Sequence, residues 1–341
     1  MFLQVAFSFL SCTTGSSISR ALSGRMKLSV VNALAFGGLA TASWVKNLNY
    51  RSPSEHHPGL GIALHKVNKR NTPSKKFDAS QLNFTHGVAS GDPYSDSVIL
   101  WTRISPQYAD VNSNSTVSGY VPLYYHGPNV TVSTAPVCVN FKVARTPDFK
   151  NVESSGTAYT SSDIDYTVKV EASNLTAYTR YYYQFNVCGS NYTSPLGRTK
   201  TAPDVNDYVS KIGLAIYSCS NYPFGFFNAF GNPARKDSVD YVIHLGDYIY
   251  EYAGDGDYGY GYSIGRVPKP ERVIFTLDDY RERLATYRSD LDLQLSHATF
   301  PWIPVWCVTA KPPEPFMLHR AALDADTSVQ GRPRSERQYL P

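Results

Sequence analysis

The sequence predicts a two-domain fold of the β plus α/β class, in which an immunoglobulin- or fibronectin-like β-sandwich precedes an α/β domain. Between residues 82 and 203, short runs of alternating apolar and polar residues are separated by Gly, Asn, Ser and Pro, as is typical of antiparallel strands. From residue 208, continuous apolar runs alternate with helical segments, as is typical of a largely parallel sheet. We place the two domains at residues 80–203 and 208–306.

The first domain is predicted from four strand-like segments and one corner motif. The stretch 175–181 ends in Tyr181 and has the form of a tyrosine corner, in which the hydroxyl bonds back to the backbone where a sandwich turns. Such a fold is a scaffold and does not determine chemistry by itself. The strand candidates are Ser97–Thr102, Val137–Val143, Asp165–Val170 and Arg180–Val187.

The second domain begins with two apolar runs, Ile212–Tyr217 and Val239–Leu245, that predict strands buried on both faces of a parallel sheet. Residues 224–236 between them favour a helix that Gly231 and Pro233 interrupt. Ligands of such sheets gather beyond the carboxyl ends of the strands. Residues just after each strand are therefore the candidates for chemistry.

Two more helices and a third strand are predicted further along. Thr276 and Asp279 form a capping box that opens one helix, and Asp290 can open another that ends near His297. Residues 300–306 predict the strand. The apolar stripe expected on the first of these helices consists of Leu277, Tyr280, Leu284 and Tyr287.

Charge excludes one class of partner. The formal net charge is +4, and residues 43–306 carry 24 basic and 24 acidic side chains. A protein that follows the phosphates of a nucleic acid needs a basic face. No specific nucleic-acid surface is therefore predicted.

The amino terminus predicts export. Met26 and Lys27 begin a short basic segment, residues 28–38 are apolar, and Ala40-Thr41-Ala42 has the form of a signal-peptide cleavage site. The alternative is a membrane anchor, but the apolar run is short for a bilayer, so no membrane span is predicted. The expected segments are a leader at 1–42, with a signal peptide at 26–42 after an upstream over-extension of the gene at 1–25, and a linker at 43–79.

Modification patterns agree with a secreted protein. Cys138 and Cys188 both lie in strand-like runs, so a disulfide within the β-domain is expected in an oxidising compartment, and Cys219 is left over. Five glycosylation sequons all fall between residues 83 and 193. They are Asn83, Asn114, Asn129, Asn174 and Asn191.

Three side chains at two predicted strand ends suggest a metal site. Cys219 follows the first strand, Asp247 follows the second, and a helical turn after Asp247 would place Tyr250 on the same face. A thiolate, a carboxylate and a phenolate together favour a Lewis-acidic iron ion. From spacing alone the alternatives are a buried thiol, a helix N-cap and a core tyrosine. We interpret His244 as a packed core histidine and place His297 on a helix surface or at a cap.

Several motifs resemble the PhoD-like (alkaline phosphatase D) metallophosphoesterase family. The resemblance covers roughly residues 82–306. The motifs that carry it are 83–93 (NFTHGVASGDP), 98–103 (VILWTR), 217–229 (YSCSNYPFGFFNA), 244–252 (HLGDYIYEY), 277–283 (LDDYRER), 287–290 (YRSD) and 297–302 (HATFPW).

The resemblance implies a secreted alkaline phosphatase or phosphodiesterase that hydrolyses phosphate esters at an iron–calcium site, where a bound water attacks as hydroxide. The expected fold is a β-sandwich followed by a calcineurin-like α/β metallophosphoesterase domain. Cys219, Asp247 and Tyr250 correspond to iron ligands, with Asp247 also placed toward calcium. The expected substrate is a small phosphate monoester or diester, and the expected state is a monomer.

The resemblance stops after Trp306. The family continues Trp-Asp-Asp-His-Glu, whereas this chain continues Cys307-Val308 and shows no apolar period up to residue 341. The codons for Trp-Cys-Val must contain GTGYGT, a good match to an intron donor. We therefore expect residues 307–341 to be a non-family tail translated from an intron, and the chain as given to be incomplete and inactive.

Two other functions are weighed against this one. A purple-acid-type phosphatase pairs a similar sandwich with a two-metal domain, but it needs Asp and His where this chain has Cys219. The second alternative is a non-enzymatic, glycosylated extracellular binding module built on the β-sandwich.

Overall fold

The structure, a computed structural model, describes residues 46–49, 79–106, 136–252, 261 and 263–304. All of them belong to one compact unit, Ala42–Pro341. The predicted leader, most of the predicted linker, Asn114, Asn129 and the predicted tail lie outside the described residues.

The described ranges contain twelve strands and three α-helices, and their order follows the two sequence patterns. Before residue 201 the described residues form strands and two short 3-10 helices, and the three α-helices lie among the strands after it. In chain order the elements are β1 (Leu82–Asn83), β2 (Val88–Gly91), β3 (Val98–Arg103), β4 (Ser105–Pro106), β5 (Val137–Ala144), β6 (Val152–Thr160), β7 (Thr167–Ala172), β8 (Arg180–Val187), β9 (Gly197–Lys200), β10 (Leu214–Tyr217), α1 (Asn228–Lys236), β11 (Tyr241–His244), α2 (Leu277–Arg288), α3 (Leu291–Thr299) and β12 (Pro301–Pro304).

The β-rich region is built from two sheets that share one core. An antiparallel sheet in the order β6-β5-β8-β9 and the strands β2, β3 and β7 contribute to a single cluster of buried apolar side chains. At the predicted corner, the Thr176 N–H donates to the Tyr181 hydroxyl at 2.8 Å, and the Tyr181 side chain is fully buried. The tyrosine corner expected from the sequence is therefore present.

One sheet continues from the β-rich region into the α/β region. Its order is β10-β11-β12-β2-β3-β7, with parallel pairing from β10 to β2 and antiparallel pairing beyond. The junction pairs Pro301 with Ser90 and Trp302 with Gly91. A Cβ at Gly91 would lie 2.7 Å from the Trp302 carbonyl oxygen, so only glycine fits there without movement. The two regions are thus joined by backbone hydrogen bonds as well as by chain connectivity.

A second, aromatic-rich core lies between the parallel strands and the helices. Phe230 of α1, Leu293 of α3 and Trp302 of β12 belong to it, together with Val242 of β11. Gly231 allows α1 to approach α3, since a Cβ there would lie 2.6 Å from an Asp292 carboxylate oxygen. This close approach explains why a glycine stands inside the helix. α1 begins only at Asn228 and runs through Gly231 and Pro233 without a break, so the predicted interruption is wrong.

The prediction that Ile212–Tyr217 is buried on both faces is wrong. Leu214 and Ile216 are 46% and 60% exposed, whereas Ala215 between them is buried. β10 is the outermost strand of the sheet, and only its Ala215 side faces the aromatic core. An apolar run shows that a strand can be buried, but it does not show how many neighbours cover it.

Two predictions about helices also need correction. The capping box of Thr276 and Asp279 is present at the start of α2, but the predicted apolar stripe is buried only at Tyr287, which is 1% exposed, whereas Leu277 is 52% exposed. Arg283 is buried on α2 instead. His297, placed on the surface from its sequence position, is only 5% exposed and stacks on Trp302 with ring centroids 3.8 Å apart.

Candidate metal centre

The three predicted ligand side chains meet at one edge of the parallel sheet. Because β10 and β11 are parallel neighbours, the turns that follow them lie side by side, and these turns carry Cys219 and Asp247. The Cys219 thiol donates to the Asp247 Oδ2 at 3.6 Å, and the Tyr250 hydroxyl donates to the same oxygen at 3.3 Å. Cys219 and Asp247 are exposed, so an ion or a substrate can reach this group.

A helical turn was predicted after Asp247, but the chain is not helical there. Instead Cys219 and Asp247 both adopt left-handed backbone conformations, with φ of 57° and 53°. Such conformations cost about 1–3 kcal/mol each in residues other than glycine and persist where the surroundings hold them. Here the Cys219 N–H donates to the Gly246 carbonyl at 3.1 Å, and the Ser220 N–H donates to the Asp247 carbonyl at 2.9 Å. The two turns therefore fix each other.

Electrostatics at this group favour a cation. Burial raises the pKa of the Tyr250 hydroxyl, and the adjacent Cys219 thiol and the charge of Asp247 raise it further. The Tyr250 hydroxyl thus lies beside a thiol and a carboxylate that disfavour its ionisation. A positive ion among them would reverse this effect, since it stabilises the ionised form of every donor that it contacts.

A buried arginine holds the segment that carries Tyr250. Arg283 of α2 is 1% exposed, and its guanidinium donates to the backbone carbonyls of Tyr250 and Tyr252 on one side. On the other side it donates to the carbonyls of Lys269, Pro270 and Arg272. A single side chain thus satisfies five carbonyls and ties two loops to α2. No periodicity in the sequence marks this role, because it depends on loop carbonyls that are distant along the chain.

The side chains present are compatible with a metal ion. A thiol, a carboxylate and a phenol offer one sulfur and several oxygen donors. This donor set suits iron better than it suits magnesium or calcium, which prefer oxygen ligands alone. Within the described ranges no group of three or more His, Cys, Asp or Glu residues is arranged to hold a metal. The group at this edge contains two such residues and a tyrosine.

The other sequence-predicted residues lie in the β-rich region, away from this edge. Cys138 and Cys188 are joined by a disulfide with Cα atoms 5.4 Å apart. Asn174 and Asn191 are exposed, and Asn83 is partly buried, with its Oδ1 accepting a hydrogen bond from the Tyr192 hydroxyl. Among the helices of the described residues, none combines the length and apolar character needed to cross a bilayer.

Comparisons with known proteins agree with this arrangement along both regions. A family model for the N-terminal domain of PhoD-like phosphatases matches residues 69–203, and the PhoD-like phosphatase model matches residues 214–307. The chain belongs to the PhoD-like phosphatase family. The second match spans Cys219, Asp247 and Tyr250, so the three donors lie within the phosphatase part of this PhoD-like chain.

Two relatives show how much of a PhoD-like protein is represented. Alkaline phosphatase D of Bacillus subtilis (strain 168) is 39% identical over 228 residues, which are 67% of this chain and 35% of that protein. A solved structure of PhoD is 36% identical with a TM-score of 0.56, and the match covers 69% of this chain and 40% of that one. The chain thus spans well under half the length of either relative.

Proposed function

We propose that this protein is a metal-dependent phosphoesterase of the alkaline phosphatase D type, acting on small phosphate monoesters or diesters. The observation that supports the proposal is the convergence of Cys219 and Tyr250 on one oxygen of Asp247, at 3.6 and 3.3 Å, on an accessible edge of the sheet. Membership of the PhoD-like family makes phosphate esters the expected substrate class.

Cys219, Asp247 and Tyr250 would hold iron, with Asp247 also directed toward calcium. Such ions supply Lewis acidity toward a phosphoryl oxygen and lower the pKa of water. Asp247 is suited to the shared position because one of its oxygens already accepts from both other donors. Cys219 and Tyr250 contribute soft and charge-delocalising donors, which favour iron over magnesium.

We propose a fold type for each of the two regions of the chain. The tyrosine corner and the shared apolar core support an immunoglobulin- or fibronectin-like sandwich for the first region. The three parallel strands with helices between them support a calcineurin-like assignment for the second.

Secretion is proposed from the export pattern at residues 26–42. The disulfide between Cys138 and Cys188 supports it, since such bonds persist in oxidising compartments. Exposed Asn174 and Asn191 support glycosylation, because a sequon must be accessible to receive a glycan. We therefore propose that the protein is a secreted, monomeric glycoprotein.

The test is to purify the chain, measure its iron and calcium content, and record the visible spectrum for thiolate- or phenolate-to-iron charge transfer. Activity is then measured on aryl phosphate monoester and diester substrates with and without calcium. The variants Cys219→Ser and Tyr250→Phe should lose iron and the visible band.

Tyr252→Phe is the matched control, since its ring lies 5.1 Å from that of Tyr250 and its hydroxyl accepts a hydrogen bond from the Asn221 amide at 2.8 Å. It should retain iron and the band. A wild-type protein that binds no iron and shows no band would overturn the metal assignment and favour the binding-module alternative.

A further inference from the structure

One buried histidine lies directly beneath the turns that carry Cys219 and Asp247. His244 ends β11, is 3% exposed, and stacks with Trp302 and Phe230 at ring-centroid distances of 5.7 and 6.4 Å. Tyr248 contacts it edge-on at 5.4 Å. Aromatic contacts on several sides restrict the orientation of the imidazole.

Each nitrogen of this ring bonds to a different turn. The Gly246 N–H donates to Nδ1 at 3.3 Å, so Nδ1 is the acceptor and the ring proton lies on Nε2. Nε2 then donates to the Ser220 hydroxyl at 2.8 Å. Gly246 immediately precedes Asp247, and Ser220 immediately follows Cys219. The ring is therefore a rigid spacer between the two turns.

We propose that His244 is a positioning residue, which sets the distance between the Cys219 and Asp247 turns through its bonds to Ser220 and Gly246. The proposal rests on the proposed function, because positioning matters only if Cys219 and Asp247 act together as ligands. Two left-handed residues need surroundings that hold them, and the turns are otherwise connected by backbone hydrogen bonds and by the contact of the Cys219 thiol with Asp247. The ring adds two more connections from below.

His297 provides a matched control from the same aromatic core. It is also buried, and it stacks on the same tryptophan ring as His244, that of Trp302, with ring centroids 3.8 Å apart. Its Nε2 bonds to the side-chain hydroxyl of Tyr248 at 2.9 Å, whereas the ring of His244 bonds to the Gly246 N–H and to Ser220. Replacing His297 should therefore weaken the core without releasing the turns.

The test compares His244→Phe, Ser220→Ala and His297→Phe in the full chain. His244→Phe keeps an aromatic ring and removes both hydrogen bonds, whereas Ser220→Ala removes only one and leaves the core intact. The first measurement is amide hydrogen exchange at Cys219 and Ser220 without added metal. Since one hydrogen bond corresponds to about a fivefold change in an equilibrium, exchange should rise about fivefold in Ser220→Ala and more than tenfold in His244→Phe.

The second measurement is iron affinity, which should fall in Ser220→Ala and fall further in His244→Phe. His297→Phe should lower the thermal midpoint but leave both amide exchange and iron affinity unchanged. Unchanged exchange in His244→Phe and Ser220→Ala would overturn the proposal, as would an equal rise in His297→Phe. If His244→Phe does not fold, Ser220→Ala still decides. A wild-type chain without iron would refute the proposed function, whereas exchange would still report whether His244 holds the turns.

Discussion

Arg266 and Asp290 form an ion pair inside the protein, with the Arg266 Nη1 2.9 Å from the Asp290 Oδ2 and neither side chain more than 1% exposed. The same carboxylate accepts from the Phe227 N–H, and the Arg266 Nε donates to the Tyr222 carbonyl. Asp290 also caps α3 through its other oxygen. The pair thus connects the start of α3 to the chain between Cys219 and α1.

Removing this carboxylate should be strongly destabilising. Asp290→Ala leaves the Arg266 charge buried without its partner and removes the α3 cap, so we expect a loss of about 3–5 kcal/mol of unfolding free energy. Urea unfolding measures it. The control is Lys150→Ala, which breaks the exposed Lys150–Asp148 pair and should leave the unfolding free energy nearly unchanged. Equal losses in both variants would contradict the assignment of a structural ion pair.

Gly91→Ala tests the junction between β2 and β12. The added methyl group would lie 2.7 Å from the Trp302 carbonyl oxygen, so the strands must separate, and we expect a loss of about 1–3 kcal/mol. Ser90→Ala is the neighbouring control. Its buried hydroxyl has no hydrogen-bond partner among the described residues, so its removal should be close to neutral. A Gly91→Ala protein with wild-type stability would show that the junction is looser than described.

Tyr181→Phe tests the tyrosine corner. The change leaves the Thr176 N–H without its acceptor and removes the bond from the Tyr181 hydroxyl to Glu153, so unfolding free energy should fall by about 1–3 kcal/mol. Tyr182→Phe, on the opposite face of β8, should have a much smaller effect. Denaturant unfolding of both variants in parallel gives the comparison, and similar values for the two would argue against the corner.

Asp279 should make stability sensitive to acid. Burial raises its pKa, but bonds from Arg272 and from the N–H groups of Phe275 and Thr276 lower it more, to about 2. Because the folded-state pKa lies below the ordinary value of 3.8, the charged carboxylate stabilises the fold above that value, and this contribution is lost as pH falls through about 2.

The variant Asp279→Asn should lack this acid-dependent contribution and should be about 1 kcal/mol less stable near neutrality, where the capping box is weakened. Unfolding at a series of pH values checks this. The exposed neighbour Asp278→Asn, which removes one negative charge without touching the capping box, is the control. Parallel pH profiles for wild type and Asp279→Asn would rule out the effect.

The elements that the sequence predicted best are those specified by local chemistry. Thr276 and Asp279 cap α2, Asp290 caps α3, and Tyr181 forms its corner, because each of these depends on residues only a few positions apart. The proximity of Cys219 to Asp247 was expected from the parallel order of the two strands. The Cys219 Sγ lies 3.6 Å from the Asp247 Oδ2.

The features that were missed depend on distant parts of the chain. His297 was placed at the surface because its burial depends on Tyr248, which bonds to it from 49 positions away along the chain. Arg283 was overlooked because its partners are loop carbonyls. The outer position of β10 is likewise set by strand order, which an apolar run alone does not specify.

The pairing of β2 with β12 also has a consequence for how the chain is made. Ser90 leaves the ribosome more than two hundred residues before its partner Pro301, so that edge of the sheet must wait unpaired while the intervening chain is synthesised. An exposed strand edge is a site for wrong association, and long-range pairing is slow. In a nascent chain of this protein, that edge of β2 would therefore stay open to wrong association until β12 emerges.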